Sequence, residues 1–434
     1  MTFTKGLVNA RSHFVFLAGL VFAAFAILQL EGWDVQSTSD EVFATLSAPS
    51  AQAPRTLTAE ERVWAQIAWQ YFQRNVRPET GLADSVEQFP ATTLWDTGSF
   101  LLGLISAYEL EVIDESRFDA MIDQALISLA KIPLFDDRLP NKSYNTVSLR
   151  MVDYDNNETS TGIGWSAIDI GRLLVPLNIL VWRYPDHADK AAEVIVRWDF
   201  ASVVRDGTLY GADIQDGATR LVQEGRLGYE EYSARTFGLL GLDVSEARRY
   251  DDYLTWVKVG SERVGADTRT AKLYGAHNYV LSEPYMLDGL EFGWDRSSRA
   301  LAFRVYRAQE ERYRRTGIPT AVTEGHLDRA PYFVYSTVFS DGQAWSVLST
   351  DGQDLPELRT LSTKAAFAWD ALYRTPYTRS LMAEVASWFH EERGWMSGRY
   401  EESGALNQSF TCNTNGVILE SLNFRHNGPL THPR

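Results

Sequence analysis

Carboxylates recur at one kind of place along this chain: the first turn of an apolar run, beside an aromatic residue. Asp96 follows Trp95, Asp169 comes shortly after Trp165, Glu230 and Glu231 lie between Tyr229 and Tyr232, and Glu283 precedes Tyr285. Asn415 stands at the matching point of the last run. Singly, each is an ordinary helix-start residue that satisfies free N–H groups and the helix dipole. Together they suggest more, because helices that start around one cavity bring all of these side chains into it. Carboxylates interleaved with aromatics suit glycosidic-bond chemistry: one acid protonates the leaving oxygen, and a second activates water or attacks the anomeric carbon. Aromatic faces hold the sugar rings. In that reading Glu231 is the general acid, since Tyr229 and Tyr232 supply a desolvated wall that raises a carboxyl pKa. Glu230 is its alternate, because adjacent helical residues point about 100° apart and only one faces the axis. Asp169 is the base or a sugar binder, with Asp96 and Glu283 as alternates. Trp95, Trp165, Tyr229, Tyr232 and Tyr285 are the stacking candidates, and Arg226, Asn278 and Asn415 the hydrogen-bonding ones.

Other chemistries fit less well. The seven histidines form no His-x-x-x-His or His-Cys cluster of the kind zinc needs, and no metal or cofactor is expected. Asp153-Tyr154-Asp155-Asn156-Asn157-Glu158 is rich in oxygen ligands but lacks the spacing and glycine of a calcium loop, so it reads as a solvated turn. No nucleophile elbow, phosphate loop or dinucleotide fingerprint is present. Cys412, the single cysteine, reads as a buried small residue.

The elements that would position these residues repeat loosely. A Gly-containing polar loop leads into an apolar helix, six times: to about Leu110 from Thr93, to about Trp182 from Gly164, to about Leu240 from Gly228, to about Phe292 from Ser282, to about Tyr373 from Ser362, and to about Phe424 from Asn413. Amphipathic helices such as Phe118–Lys131, Ala188–Asp199 and Ser298–Thr316 lie between them. A first helix, Ala59–Phe72, opens with a capping box of Thr58 and Glu61. Few segments read as strands. The pattern predicts an all-α fold, an (α/α)6 barrel like the six-hairpin glycosidases, whose loops gather into a cleft at one end.

The ends of the chain and its charge add context. Lys5 and Arg11 precede an uncharged run, Phe14–Leu30, long enough at its limit to cross a bilayer. Residues 1–33 read as a membrane anchor, with a cleaved signal peptide as the rival, and the preceding positive charges place the body outside the cytoplasm. Residues 34–57 form a polar linker and 58–434 the barrel. The expected location is the periplasmic or extracellular face of the inner membrane, held through residues 14–30. With 57 acidic against 41 basic residues the net charge is −16, which argues against nucleic acid.

Longer motifs carry a resemblance. Trp-Asp-Thr-Gly-Ser (95–99), Gly-Ile-Gly-Trp-Ser-Ala-Ile-Asp-Ile-Gly-Arg-Leu-Leu (162–174), Glu-Gly-Arg-Leu-Gly-Tyr-Glu-Glu-Tyr (224–232), Asn-Tyr-Val-Leu-Ser-Glu-Pro-Tyr (278–285), Asp-Arg-Ala-Pro-Tyr-Phe-Val-Tyr (328–335) and Asn-Thr-Asn-Gly-Val-Ile-Leu-Glu (413–420) resemble a bacterial family of unknown function, DUF3131, across about residues 60–425. More distantly, Trp165–Gly171 and Tyr229-Glu230-Glu231 are similar to segments of the glycoamylase-like barrel that includes endo-β-1,2-glucanases. That resemblance implies a general acid at Glu231 and the family's aspartate at Asp169. The Ser-Pro-Thr-His-Pro that follows the glutamate in those glucanases is replaced here by Gly241-Leu242-Asp243-Val244. The expectation is a membrane-tethered glycoside hydrolase or transglycosylase acting on a bacterial β-glucan or related polysaccharide. A non-catalytic polysaccharide-binding component of an envelope system is the alternative, and a helical protein scaffold a third.

Overall fold

The computed structural model describes residues 48–274 and 276–432. The expected anchor, residues 14–30, and most of the expected linker fall outside the described residues. Among the described residues no helix is long and apolar enough to cross a membrane.

Thirteen helices are described, in chain order: α1 Ala59–Asn75, α2 Leu94–Glu109, α3 Glu115–Leu129, α4 Ala167–Arg183, α5 Pro185–Ile195, α6 Phe200–Val203, α7 Tyr229–Leu239, α8 Ala271–Tyr274, α9 Glu283–Phe292, α10 Arg296–Thr316, α11 Thr363–Tyr373, α12 Pro376–Val385 and α13 Cys412–Asn427. Hydroxyl caps start most of the apolar ones. The side chains of Thr93, Ser166, Ser362 and Thr411 accept the N–H of the third residue of α2, α4, α11 and α13. The capping box at α1 forms as expected, Glu61 N–H donating to Thr58 and Thr58 N–H to Glu61.

Helices α2, α4, α7, α9, α11 and α13 pack each on the next, and α13 closes the circle against α2. This is the inner ring of an α/α barrel. A helix in that ring has neighbours on nearly every side, and α2 is buried without a break from Leu94 to Ala107. Close approach needs small residues: a Cβ on Gly416 of α13 would lie 2.6 Å from the Ser99 carbonyl oxygen of α2. Helices α1, α3, α5, α10 and α12 form the outer layer. The chain enters near the C-terminal ends of the inner helices, where Gln52 N–H donates to Leu372 O and Arg55 N–H to Arg425 O.

Strands are more numerous than the sequence predicts. The third inner helix, α7, is followed by no long outer helix. An antiparallel hairpin, Leu254–Val259 with Glu262–Asp267, takes that place and packs on α10. Its β-branched residues alternate around Gly260, at φ +61°, which gives the tight turn. A second hairpin, Thr208–Gln215 with Ala218–Gln223, turns at Asp216-Gly217, both at positive φ as a two-residue hairpin loop requires. This hairpin docks on the start of α4: Ala212 N–H donates to Trp165 O, and Gly164 at φ +114° leaves no room for a Cβ against the Ala212 carbonyl.

At the centre of the ring Arg172 is fully buried with Glu291 and Glu420. Its guanidinium donates to both carboxylates, to the Tyr232 hydroxyl (2.8 Å) and to Ser99 Oγ (3.3 Å). Arg172→Met leaves two carboxyls in a dry interior without their cation. We expect it to destabilise the protein by about 3–5 kcal/mol in urea unfolding at pH 8. The loss should shrink at pH 5, where protonation neutralises the stranded carboxyls; equal losses at both pH values would contradict this account.

Candidate active site

Side chains from the starts of several inner helices meet at one end of the barrel. Lys364, near the start of α11, donates to Glu283 of α9 (2.8 Å to Oε1) and to Asn413 Oδ1 of α13 (2.9 Å). Thr323 Oγ1 and Asn413 Nδ2 also donate to Glu283, at 2.8 and 3.1 Å. Glu283 is therefore a buried, fully paired anion. Asp96 of α2 is buried as well and accepts from Ser85 Oγ (2.6 Å) and Thr93 Oγ1 (2.9 Å).

Three further carboxyls in this region are only half-buried: Asp169, Glu224 and Glu324. Asp169 projects from the first turn of α4. Burial, then the neighbouring charge of Glu224, with Asp96 and Glu324 adding to it, push its carboxyl up to about 8. Glu224 follows the second hairpin and accepts from the Ala167 N–H at the start of α4 (2.5 Å). Gly211 makes room for it, since a Cβ there would sit 2.5 Å from Glu224 Oε2. Burial raises the Glu224 carboxyl, against the pull of Lys142 and Ser166. Glu324 accepts from the Tyr229 hydroxyl (2.5 Å). Burial and the charge of Glu283 push it up to about 7, against Lys364 and Tyr229.

Glu324 stands on a small antiparallel sheet whose alternation sorts its side chains. Glu324–His326 pairs with Phe333–Ser336, placing Glu324 opposite Tyr335 and His326 opposite Phe333. These four are half-buried, whereas Val334 points the other way into a core with Leu327, Val347, Leu358 and Tyr400. His326 is held below its usual pKa by burial, assisted by Lys364 and opposed by Asp96. Tyr335 stacks on Tyr279, with centroids 4.1 Å apart and planes at 8°.

The residues singled out in the sequence divide into two sets. Asp169 and Tyr229 are half-buried in this region, with Asp96 and Glu283 behind them and Trp95, 8% exposed, against Tyr229 at 5.9 Å. The others are enclosed. Glu231 accepts from the Gly228 N–H (2.6 Å) as part of the start of α7, and burial, then Glu230, holds its carboxyl well above the usual range. Glu230 pairs with Arg269 (2.7 Å) and accepts from Gln223. Trp165 is wholly buried and donates to Tyr210 O. Tyr232 bonds Arg172 and Glu291 at the barrel centre. Tyr285 is buried beside Gly228. Arg226 is held by Gln223 and the Gly225 carbonyl and lies over the Tyr274 ring. Asn278 joins Asp267 O to Asp341 N–H, and Asn415 accepts from Trp395 N–H. Glu231, the expected acid, is 3% exposed. Asp153 accepts the N–H groups of Asp155 and Asn157 within its own turn, and the Cys412 thiol donates to Asp96 O (3.1 Å).

Glu224, Glu324, His326, Tyr279 and Tyr335 were not singled out. Three of them lie inside the quoted motifs 224–232, 278–285 and 328–335, and the alternation in Glu324-Gly325-His326 and Phe333-Val334-Tyr335 was the available signal.

Residues 63–428 match the family described as protein of unknown function DUF3131. The chain belongs to this family. No curated protein matches it. Its fold is shared with solved structures at low identity. A Bacteroides fragilis structure, provisionally assigned as a glucoamylase, is 11% identical with a TM-score of 0.61, the match covering 88% of this chain and 94% of that one. The endo-β-1,2-glucanase of Chitinophaga pinensis, solved with sophorotriose and glucose, is 11% identical with a TM-score of 0.58, covering 86% and 94%. The endo-β-1,2-glucanase of Talaromyces funiculosus, solved with sophorose, is 13% identical with a TM-score of 0.53, covering 86% and 84%. Likeness at this identity carries the barrel fold.

The raised carboxyl of Asp169 has a consequence for stability. Its pKa is about 8 in the folded state against an ordinary 3.8, so the folded chain binds the extra proton between those values. Its contribution is therefore complete below about pH 4 and is lost as pH rises through 8. Asp169→Asn should raise Tm relative to the unsubstituted chain at pH 8–9 and leave the difference near zero around pH 4. Calorimetry across that range checks it, and a Tm gain that does not depend on pH would contradict the assignment.

Proposed function

We propose that this chain is a carbohydrate-active enzyme, a glycoside hydrolase or transglycosylase acting on a bacterial β-glucan or related polysaccharide. The observation that carries this reading is the grouping of half-buried Asp169, Glu224 and Glu324 beside Tyr229, Tyr279 and Tyr335. A shared fold with proteins named endo-β-1,2-glucanases supports it.

In this reading the general acid moves from Glu231 to Asp169, which keeps its proton at neutral pH. Asp169 gives that proton to the glycosidic oxygen as the bond to the anomeric carbon breaks. Glu324, poised at about 7 with Tyr229 and Lys364 favouring its anion, takes a proton from the attacking water. A sugar hydroxyl in place of that water gives transfer instead of hydrolysis. Glu224 is the alternate base. Lys364 and Asn413 hold Glu283 as a fixed charge at the back of the site. The uncharged run at 14–30, behind Lys5 and Arg11, favours a tether in the inner membrane with the body on its outer side. A tethered binding component is the second reading, favoured by the enclosure of Glu231 at the start of α7.

The test is product analysis of the full chain with linear and cyclic bacterial and plant glucans. Asp169→Asn and Glu324→Gln should each lower kcat by about 10²–10⁴-fold, with circular dichroism unchanged. Saturable glycan binding that both variants retain, without turnover on any glucan, would favour the binding component and overturn the enzyme.

A further inference from the structure

Among the described residues Tyr154, Tyr279 and Tyr335 have no side-chain hydrogen-bond partner, whereas the Tyr229 hydroxyl is committed to Glu324. Two of them are held rigidly. Tyr335 is fixed by its strand register opposite Glu324. Tyr279 lies between Asn278, tied to Asp267 O and Asp341 N–H, and Val280, which exchanges backbone bonds with Val338 and Phe339. The two rings stack at 4.1 Å, and His277 continues the stack at 5.4 Å and 29°, itself pinned by Asp341. Tyr154 is 62% exposed on a turn closed by Asp153. Its hydroxyl lies within electrostatic range of Asp169 and Glu224, and that of Tyr335 within range of Asp169, Glu324 and Tyr154. Tyr154 and Tyr335 thus stand near one another and near Asp169, with Tyr279 and His277 stacked behind Tyr335.

We propose that Tyr154 and Tyr335, the latter backed by Tyr279, form an aromatic wall for successive sugars of an uncharged glycan, so that the site selects chains of several units over mono- and disaccharides. The proposal rests on the carbohydrate reading above and specifies its ligand. Tyr154 and half-buried Tyr335 offer apolar surface to a pyranose and phenols to its hydroxyls, while Tyr279, stacked between Tyr335 and His277, holds Tyr335 in place. Preformed aromatics lose little freedom on binding, so each added sugar improves affinity until the wall is filled. The ligand is neutral because a uronate or phosphorylated chain would add negative charge beside Glu224 and Glu324, where crowding of carboxyls already keeps Asp169 protonated.

Titration calorimetry of the full chain tests this with β-1,2-, β-1,3-, β-1,4- and β-1,6-linked glucose oligomers of two to eight units, and with oligogalacturonate as the charged control. One neutral series should tighten at least about tenfold from two to five units, and oligogalacturonate should bind more weakly. Tyr335→Ala and Tyr279→Ala should flatten that length dependence, while Tyr335→Phe, which keeps the stack, retains most of it. Neutral oligomers that bind with no length dependence, or with one that both alanine variants preserve at unchanged Tm, would overturn the wall and leave the carbohydrate reading standing. No binding to any oligomer, together with no turnover on the glucan panel, would overturn both.

Discussion

The barrel is organised around a charge placed where water cannot reach it. Arg172 reaches Ser99 of α2, Tyr232 of α7, Glu291 of α9 and Glu420 of α13 from its own place on α4. One guanidinium faces two carboxyls, and burial holds Glu291 well above the usual carboxylate range. A dry ion cluster of this kind is a weak source of net stability, but it penalises any arrangement that separates its members. It therefore specifies how the inner helices are set around the axis more than it strengthens them.

The same cluster supports the site. Trp95 lies over Arg172 at 5.4 Å and against Tyr229 and Tyr232, and Tyr229 donates to Glu324. A continuous line of packed and hydrogen-bonded groups runs from the barrel centre to a carboxyl at its end. Rigid support of this sort is what a reacting group needs, since small misplacements cost large factors in rate. Around it the acids are in excess: Lys364 compensates Glu283, while Glu224 and Glu324 both act on Asp169 in a partly dry setting. Raised pKa values follow from that crowding and desolvation.

Much of the frame is legible in the residues themselves. Thr58 with Glu61, and Thr93, Ser166, Ser362 and Thr411 ahead of apolar runs, mark helix starts by interactions within four residues. The apolar run Phe100–Ile105 announces a helix surrounded by others. The Asp216-Gly217 turn was equally local, and its hairpin was available to a reading that looked for strands.

The site was legible only in part, for a physical reason. Sequence places an acid in the first turn of a helix, but whether it faces solvent depends on what packs against that turn. Asp169 stays half-open, while Glu230 and Glu231, with the same local signature, are closed by Arg269 and the Gly228 N–H. Glu224 and Glu324 are further from local rules. One reaches the start of α4 because a hairpin docks there, and the other meets Tyr229 across 95 residues. The sequence determined helices, caps and a ring of acids at their starts, because those depend on neighbours along the chain. Only the tertiary structure decided which carboxyls come together with tyrosine, because burial and strand register are set by contacts between distant segments.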